Sequence, residues 1–156
     1  MINASMYMSE NEIWETPPKL FDLLDEEFNF DLDVCALPGT AKCSRYFSPS
    51  DDGLTKMWSG ICWMNPPYGR KIRDWVKKGH ESAINNGATV VALVPARIDT
   101  RWWWSFCAPS EVRFLPGRLK FFMNGQPARN SAPFPSAIVV MQAGRPASTT
   151  YWSPNY

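Results

Sequence analysis

The chain is poor in the residues that build metal centres. It has one histidine, His80, and four cysteines, Cys35, Cys43, Cys62 and Cys107, none of them in a CxxC pair. That leaves no zinc-type ligand set, so no metal is expected. Long apolar runs are missing too. None approaches the roughly 20 residues needed to cross a bilayer, and no membrane partner is expected. Residues 1–12 are polar and lack a basic stretch followed by an apolar one, so no signal peptide is expected. Net charge is only +1, so any nucleic-acid footprint must be a local patch rather than a basic domain. Cys35 and Cys62 sit in apolar, strand-like runs and read as buried reduced thiols, which fits a reducing cytoplasm.

What is present is ordinary in bulk and unusual in detail. A length of 156 residues with 45% apolar content gives one domain with a real core. The expected domain runs from 14 to 142, with 1–13 and 143–156 as loose ends. There is no internal repeat and no linker. Eight tryptophans exceed what so small a core needs, and some are expected to line a surface that binds flat molecules.

Thr16-Pro17-Pro18 opens a helix, with Thr16 as the expected N-cap and Leu20, Phe21, Leu24 and Phe28 at helical spacing. Residues 30–36 alternate and then turn apolar, which predicts a strand. Arg45-Tyr46-Phe47 predicts a second short one. Residues 71–85 carry Ile72, Trp75, Val76, Gly79 and Ala83 on one helical face and Arg70, Arg73, Lys77 and Glu81 on the other. Asn85-Asn86-Gly87 stops that helix. Thr89 to Pro95 is apolar on both faces, as a central parallel strand is. Asp99-Thr100 caps a short helix through Trp102 and Phe106. Residues 112–115, 119–122 and 137–141 predict further strands. Alternating strands and helices with continuously apolar strands point to an α/β domain with a mostly parallel sheet covered by helices. In such sheets ligands bind beyond the carboxyl ends of the strands. Asp33–Ala36, Asn65–Tyr68 and Pro95–Thr100 converge there from separate parts of the chain.

The most informative of these segments is Asn65-Pro66-Pro67-Tyr68, which follows the apolar run Ile61-Cys62-Trp63-Met64. Two prolines end any ladder and hold a rigid extended turn. The Asn65 amide oxygen and the Pro66 carbonyl can both accept hydrogen bonds from a planar amino group, and Tyr68 can stack on the ring that carries it.

With these residues in view, the chain resembles the phage-type (Dam-like) DNA N6-adenine methyltransferases. The matching stretches are Trp14-Glu15-Thr16-Pro17 with Leu20-Phe21, residues 30–36, Ala41-Lys42-Cys43, Asp52-Gly53-Leu54 with Trp58, and residues 63–69. Pro95-Ala96-Arg97 with residues 99–103, and Ala132-Pro133-Phe134-Pro135-Ser136, continue the series. The resemblance implies a Rossmann-like fold, S-adenosyl-L-methionine as cofactor, and adenine in double-stranded DNA as substrate, in a bacterial host cytoplasm and a phage or prophage setting that includes restriction-modification. It implies that Thr16, Pro17, Asp33, Cys35 and Ala36 lie by the cofactor's methionine end, that Asp52 with Leu54 meets its adenine, and that Asn65, Pro66, Pro67 and Tyr68 are catalytic. The glycine-rich pattern common after the first strand of many methyltransferases is absent; only Gly39 is near. Arg70, Arg73 and Lys77 are expected to hold phosphates, and Arg97, Trp102 and Phe134 to shape the target pocket. The same motif could instead serve adenine in RNA or glutamine in protein, or persist in a catalytically silent DNA-binding relative.

Overall fold

A computed structural model describes residues 14–156, so the expectation of a loose segment over 1–13 lies outside the described residues. The elements in chain order are α1 (Pro18–Phe28), β1 (Leu32–Asp33), a 3-10 turn (Gly53–Thr55), β2 (Ile61–Met64), α2 (Ile72–Asn86) and β3 (Thr89–Pro95). A π-helical turn (Trp103–Cys107), β4 (Glu111–Phe114), β5 (Phe122–Met123), β6 (Gln126–Pro127), β7 (Ser136–Met141) and β8 (Ser148–Tyr151) follow. Six strands form one sheet in the order β1-β2-β3-β7-β4-β8, and β5 and β6 pair separately.

β1, β2 and β3 are mutually parallel, with Leu32 opposite Cys62 and Cys62 opposite Val90. β4 and β8 are also parallel. β7 runs against both β3 and β4. It is reached from β4 by a loop without a crossover helix, and strands joined that way lie antiparallel. The sheet is thus mostly parallel, flanked by helices, as the apolar strands implied.

The period-2 alternation of a strand decides which helix covers which face. On β2, Trp63 and Met64 point to opposite sides. Trp63 meets Phe21 of α1 edge-on at 5.4 Å. Met64 lies under α2, where a Cβ added to Gly79 would sit 3.6 Å from its Cε, 3.1 Å from Met141 Sδ and 3.3 Å from Val90 Cγ1. Gly79 lets α2 settle directly on β2, β3 and β7. The buried face of α2 is the expected one, Ile72, Trp75, Val76, Gly79 and Ala83, with Ser82 added.

Several local expectations shift. α1 has Pro17 at its N-cap and no side-chain cap, so Thr16 does not cap it. The strand expected over 30–36 shortens to two residues, and Tyr46 makes only an isolated bridge to Asp33. The strand expected at 119–122 begins at Phe122. Five of the tryptophans, Trp58, Trp63, Trp75, Trp102 and Trp103, are buried, so most serve the core rather than a binding surface. The tail expected to be loose carries β8. Trp152 N–H donates to the Phe114 carbonyl at 2.9 Å. The Arg113 guanidinium, 5.6 Å from the centre of the Trp152 ring, also makes two hydrogen bonds to Glu27, at 2.9 and 2.7 Å. Arg113 thereby ties the end of α1 and the tail to β4.

Replacing Gly79 by Leu should overpack the α2–sheet contact and cost about 2 kcal/mol, within the usual range of roughly 1–3 kcal/mol. Urea unfolding of the two proteins measures it.

Candidate active site

The parallel strands bring the carboxyl ends of β1, β2 and β3 to one edge of the sheet, and antiparallel β7 starts there. Asn65 follows β2 directly. Its Nδ2 donates to the Trp14 carbonyl and, at 3.1 Å, to Thr16 Oγ1. A carbonyl can only accept, so this bond fixes which end of the Asn65 amide is NH₂. Oδ1 is turned the other way and accepts from the Tyr68 hydroxyl at 2.7 Å. One lone pair of Oδ1 is left over. The Pro66 carbonyl accepts no hydrogen bond among the described residues. Among the described residues, Asn65 Oδ1 thus keeps one acceptor position and the Pro66 carbonyl has no donor; both residues line one cavity at the end of β2, and the Asn65 amide is clamped in orientation. Thr16, 2% exposed, puts its hydroxyl to this use rather than to capping α1.

Tyr68 departs from expectation. It is 5% exposed, and its hydroxyl also lies 2.9 Å from the Leu93 carbonyl. With one proton it donates to one of its two acceptors at a time. Its ring packs edge-on against Phe134 at 5.5 Å and Phe121 at 6.0 Å. The tyrosine offers no open face for stacking here; it braces Asn65 from below, and burial raises the phenol's pKa well above the ordinary range. Phe134 is half-buried and meets Trp14 edge-on at 5.7 Å. Trp14 itself lines the cavity beside Asn65.

That cavity, about 460 Å³ including its open mouth, is lined by Trp14, Thr16, Asp33, Lys42, Asn65 and Pro66 among others. A second, apolar one of about 320 Å³ is walled by Phe47, Pro49, Pro67 and Trp75, with Asp52 at its rim. The two share Cys35 and Ala36. Together they make one groove with a polar lobe and an apolar lobe. Pro17 starts α1 behind the polar lobe, and Leu54 packs on the core. Gly53 sets the apolar lobe. A Cβ there would collide with the Val34 carbonyl oxygen and lie 3.2 Å from the Trp75 ring. The Gly53 carbonyl accepts from the Trp58 indole at 2.8 Å, and Asp52 is held at φ 53°. This explains the Asp52-Gly53-Leu54 spacing physically.

Asp33 is the one carboxylate buried in the groove, 3% exposed. Burial raises its pKa to about 6, against the lowering pull of the Lys42 and Cys35 backbone N–H groups at 3.0 and 3.3 Å. Burial also pushes all four thiols up, so none is a ready nucleophile. No grouping of metal-ligating side chains occurs among the described residues, and no described helix is long and apolar enough to cross a membrane.

The outer residues divide. Arg70 and Arg97 are exposed. Arg73 lies 3.6 Å from Asp74, and Lys77 lies 3.8 Å from Glu81, so that face of α2 is partly neutralised. Trp102 is buried against Trp103 and lines neither lobe of the groove. Thr100 does cap, accepting from Trp103 N–H at 3.3 Å. Sequence reasoning missed Trp14 and Lys42 as cavity walls and the Thr16 clamp on Asn65. A buried hydroxyl and an aromatic just before the first helix were the signals available.

Over residues 3–153 the sequence matches the family described as DNA N-6-adenine-methyltransferase (Dam), and the chain belongs to that family. It is similar to the DNA N-6-adenine-methyltransferase of Haemophilus phage HP1 (strain HP1c1), 33% identical over 106 residues, which are 66% of this chain and 61% of that protein. It is also similar to the DNA N-6-adenine-methyltransferase of Escherichia phage T1, 30% identical over 95 residues, or 59% of this chain and 39% of that protein. The matched segment thus spans less than two thirds of either relative.

Because the folded pKa of Asp33 lies above its unfolded value, protonation favours the fold. That contribution is full below about pH 4 and is lost as pH rises through 6. Asp33→Asn does not titrate. Its stability relative to wild type should therefore improve by up to about 3 kcal/mol between pH 4 and pH 7, since each tenfold change in proton affinity is worth about 1.4 kcal/mol. Denaturant melts of both proteins across that range test it, and a flat difference would contradict it.

Proposed function

We propose that this chain transfers a methyl group from S-adenosyl-L-methionine to N6 of adenine in DNA, within a Rossmann-like methyltransferase fold. The observation that carries the reading is the pair of acceptors at the end of β2, Asn65 Oδ1 and the Pro66 carbonyl, with the Asn65 amide clamped by Trp14, Thr16 and Tyr68. Family membership and the two named phage relatives support it.

The groove fits the cofactor chemically. Asp33 and Lys42 in the polar lobe would hold the ammonium and carboxylate of its amino-acid end. Asp52 would accept from its adenine amino group, while Phe47, Pro49, Pro67 and Trp75 cover the ring. When bound, the cofactor supplies a methyl group on a positively charged sulfur.

Adenine N6 is a weak nucleophile because its lone pair is delocalised into the ring. Asn65 Oδ1 and the Pro66 carbonyl each take one N–H bond, which favours a pyramidal nitrogen with its lone pair free. Both acceptors are preorganised for the positive charge that develops there. Transfer would then be direct and in line, the methyl–sulfur bond breaking as the carbon–nitrogen bond forms and one N6 proton passing afterwards to solvent, so that this chain's part is mostly positioning. The high thiol pKa values agree with a route that needs no covalent enzyme intermediate. In a duplex the amino group is out of reach, so the base flips out at a few kcal/mol. Phe134 and Trp14, packed on each other and both partly exposed, would receive it. Arg70 and Arg97, which are exposed, and Arg73 and Lys77 once freed from their acids would contact flanking phosphates.

Asn65→Ala should lower kcat by at least about 10²-fold, the scale for losing one preorganised polar contact, with cofactor affinity near normal. Thr16→Val should lower kcat by about tenfold through the freed amide. The decisive assay uses labelled cofactor with duplex DNA, RNA and cell protein offered separately, followed by nucleoside analysis. N6-methyladenine in DNA is expected; label confined to RNA or protein, or full turnover by Asn65→Ala, overturns the proposal.

A further inference from the structure

The charge of this chain is divided along its length. Glu111 is its last acidic residue; five cations follow it, Arg113, Arg118, Lys120, Arg129 and Arg145. Arg113 and Arg145 are engaged with Glu27 and Glu111. Arg118, Lys120 and Arg129 are exposed and have no acidic partner among the described residues.

These three sit on a built arm. Residues 118–132 leave the end of β4 and return towards β7. Alternation puts Leu119 and Phe121 into the core, 3% and 0% exposed, and Arg118 and Lys120 into solvent. The Leu119 carbonyl accepts from Ala132 N–H and the Phe121 carbonyl from Ala128 N–H, each at 2.7 Å. β5 and β6 close the arm through Asn124-Gly125, both with positive φ, as a tight hairpin turn requires. Glu15 holds the turn, its carboxylate accepting from Asn124 and Gly125 N–H at 2.7 and 3.1 Å.

Position connects the arm to the site. β4 is parallel in sense to β3, because both oppose β7. Its carboxyl end therefore opens at the same sheet edge as Asn65. Glu15 exchanges two backbone hydrogen bonds with Phe122, and its neighbours Trp14 and Thr16 are the groups that clamp Asn65. The hairpin end of the arm is therefore held, through Glu15, to the segment that clamps Asn65.

We propose that this arm is the principal DNA-docking surface, its three unpaired cations holding the phosphates of the duplex beside the extruded adenine. This rests on the reading of DNA as substrate. It displaces the face of Arg70, Arg73 and Lys77 as the main contact, since Arg73 and Lys77 are partly neutralised by Asp74 and Glu81. An anchored segment that leaves three cations exposed and without an acidic partner among the described residues is complementary to a duplex, whose backbone carries closely spaced negative charge.

The experiment compares wild type, the variant Arg118→Gln/Lys120→Gln/Arg129→Gln and the variant Arg70→Gln/Arg73→Gln/Lys77→Gln. Binding to one adenine-containing duplex is titrated from about 50 to about 300 mM salt, with cofactor affinity as the folding control. The arm variant should bind at least tenfold more weakly. Its slope of log affinity against log salt should be shallower by about 2 to 3, near 0.9 per lost phosphate contact. The α2 variant should lose less. An unchanged slope in the arm variant, or a larger loss in the α2 variant, overturns the inference while leaving the methylation reading intact. Wild type that neither binds nor methylates duplex DNA overturns both.

Discussion

The orientation of a single amide governs the site. Under the proposed reaction Asn65 presents an acceptor to the adenine amino group only if its NH₂ end is occupied elsewhere, and the Trp14 carbonyl and Thr16 hydroxyl occupy it. Those two groups belong to a segment with no regular structure of its own. It is held because Glu15, between them, pairs with Phe122 along the backbone and with the Asn124-Gly125 turn through its side chain. Each such hydrogen bond is worth only about 1 kcal/mol net. Their joint effect is large because a half-turn of the amide exchanges acceptor for donor. The aromatic cluster of Trp14, Tyr68, Phe121 and Phe134 fills the space between the segment, the motif and the arm, so none of them can shift alone.

The groove is built at some expense to stability. Asp33 is ionised at neutral pH only against its burial, and two backbone N–H groups offset part of that cost. Asp52 and its neighbour Gly53 hold a conformation that leaves no room for a Cβ at the second position. Such features persist when a surrounding structure enforces them, and they gather at functional sites. The enforcement here is identifiable: Trp58 bonds the Gly53 carbonyl, and Trp75 packs against it. Tryptophans that looked numerous for a core of this size are partly accounted for by this duty.

Legibility from sequence followed how local each constraint was. β3 and the buried face of α2 were readable, since continuous apolarity and 3.6-residue spacing report burial directly. The Asn65 motif was readable because two prolines restrict the chain whatever surrounds them. Thr16 was misread because a hydroxyl before Pro-Pro has the same signature whether it caps its own helix or bonds an amide 49 residues away. The burial of Tyr68 was hidden for a related reason: an aromatic after a rigid turn looks like an open platform, and the Leu93 carbonyl that partners its hydroxyl lies 25 residues away. β8 was invisible, since an exposed edge strand of Ser and Thr carries no alternation, and its place depends on Arg113 and Trp152.

Electrostatics gave the least reliable guide when read as totals. A net charge of +1 leaves room only for a local basic patch without saying where, because it sums a first portion rich in acids and a last portion with none beyond Glu111. A helical stripe of Arg and Lys drew attention because spacing made it visible. Its neighbours at i+1 and i+4 are acids, and they lie within 4 Å. The cations on the arm have no periodic signature, and their alternation with Leu119 and Phe121 emerges only once those residues are seen in the core. For a surface that must attract phosphate, the useful quantity is charge left unpaired after folding, and that is a property of the tertiary structure rather than of composition.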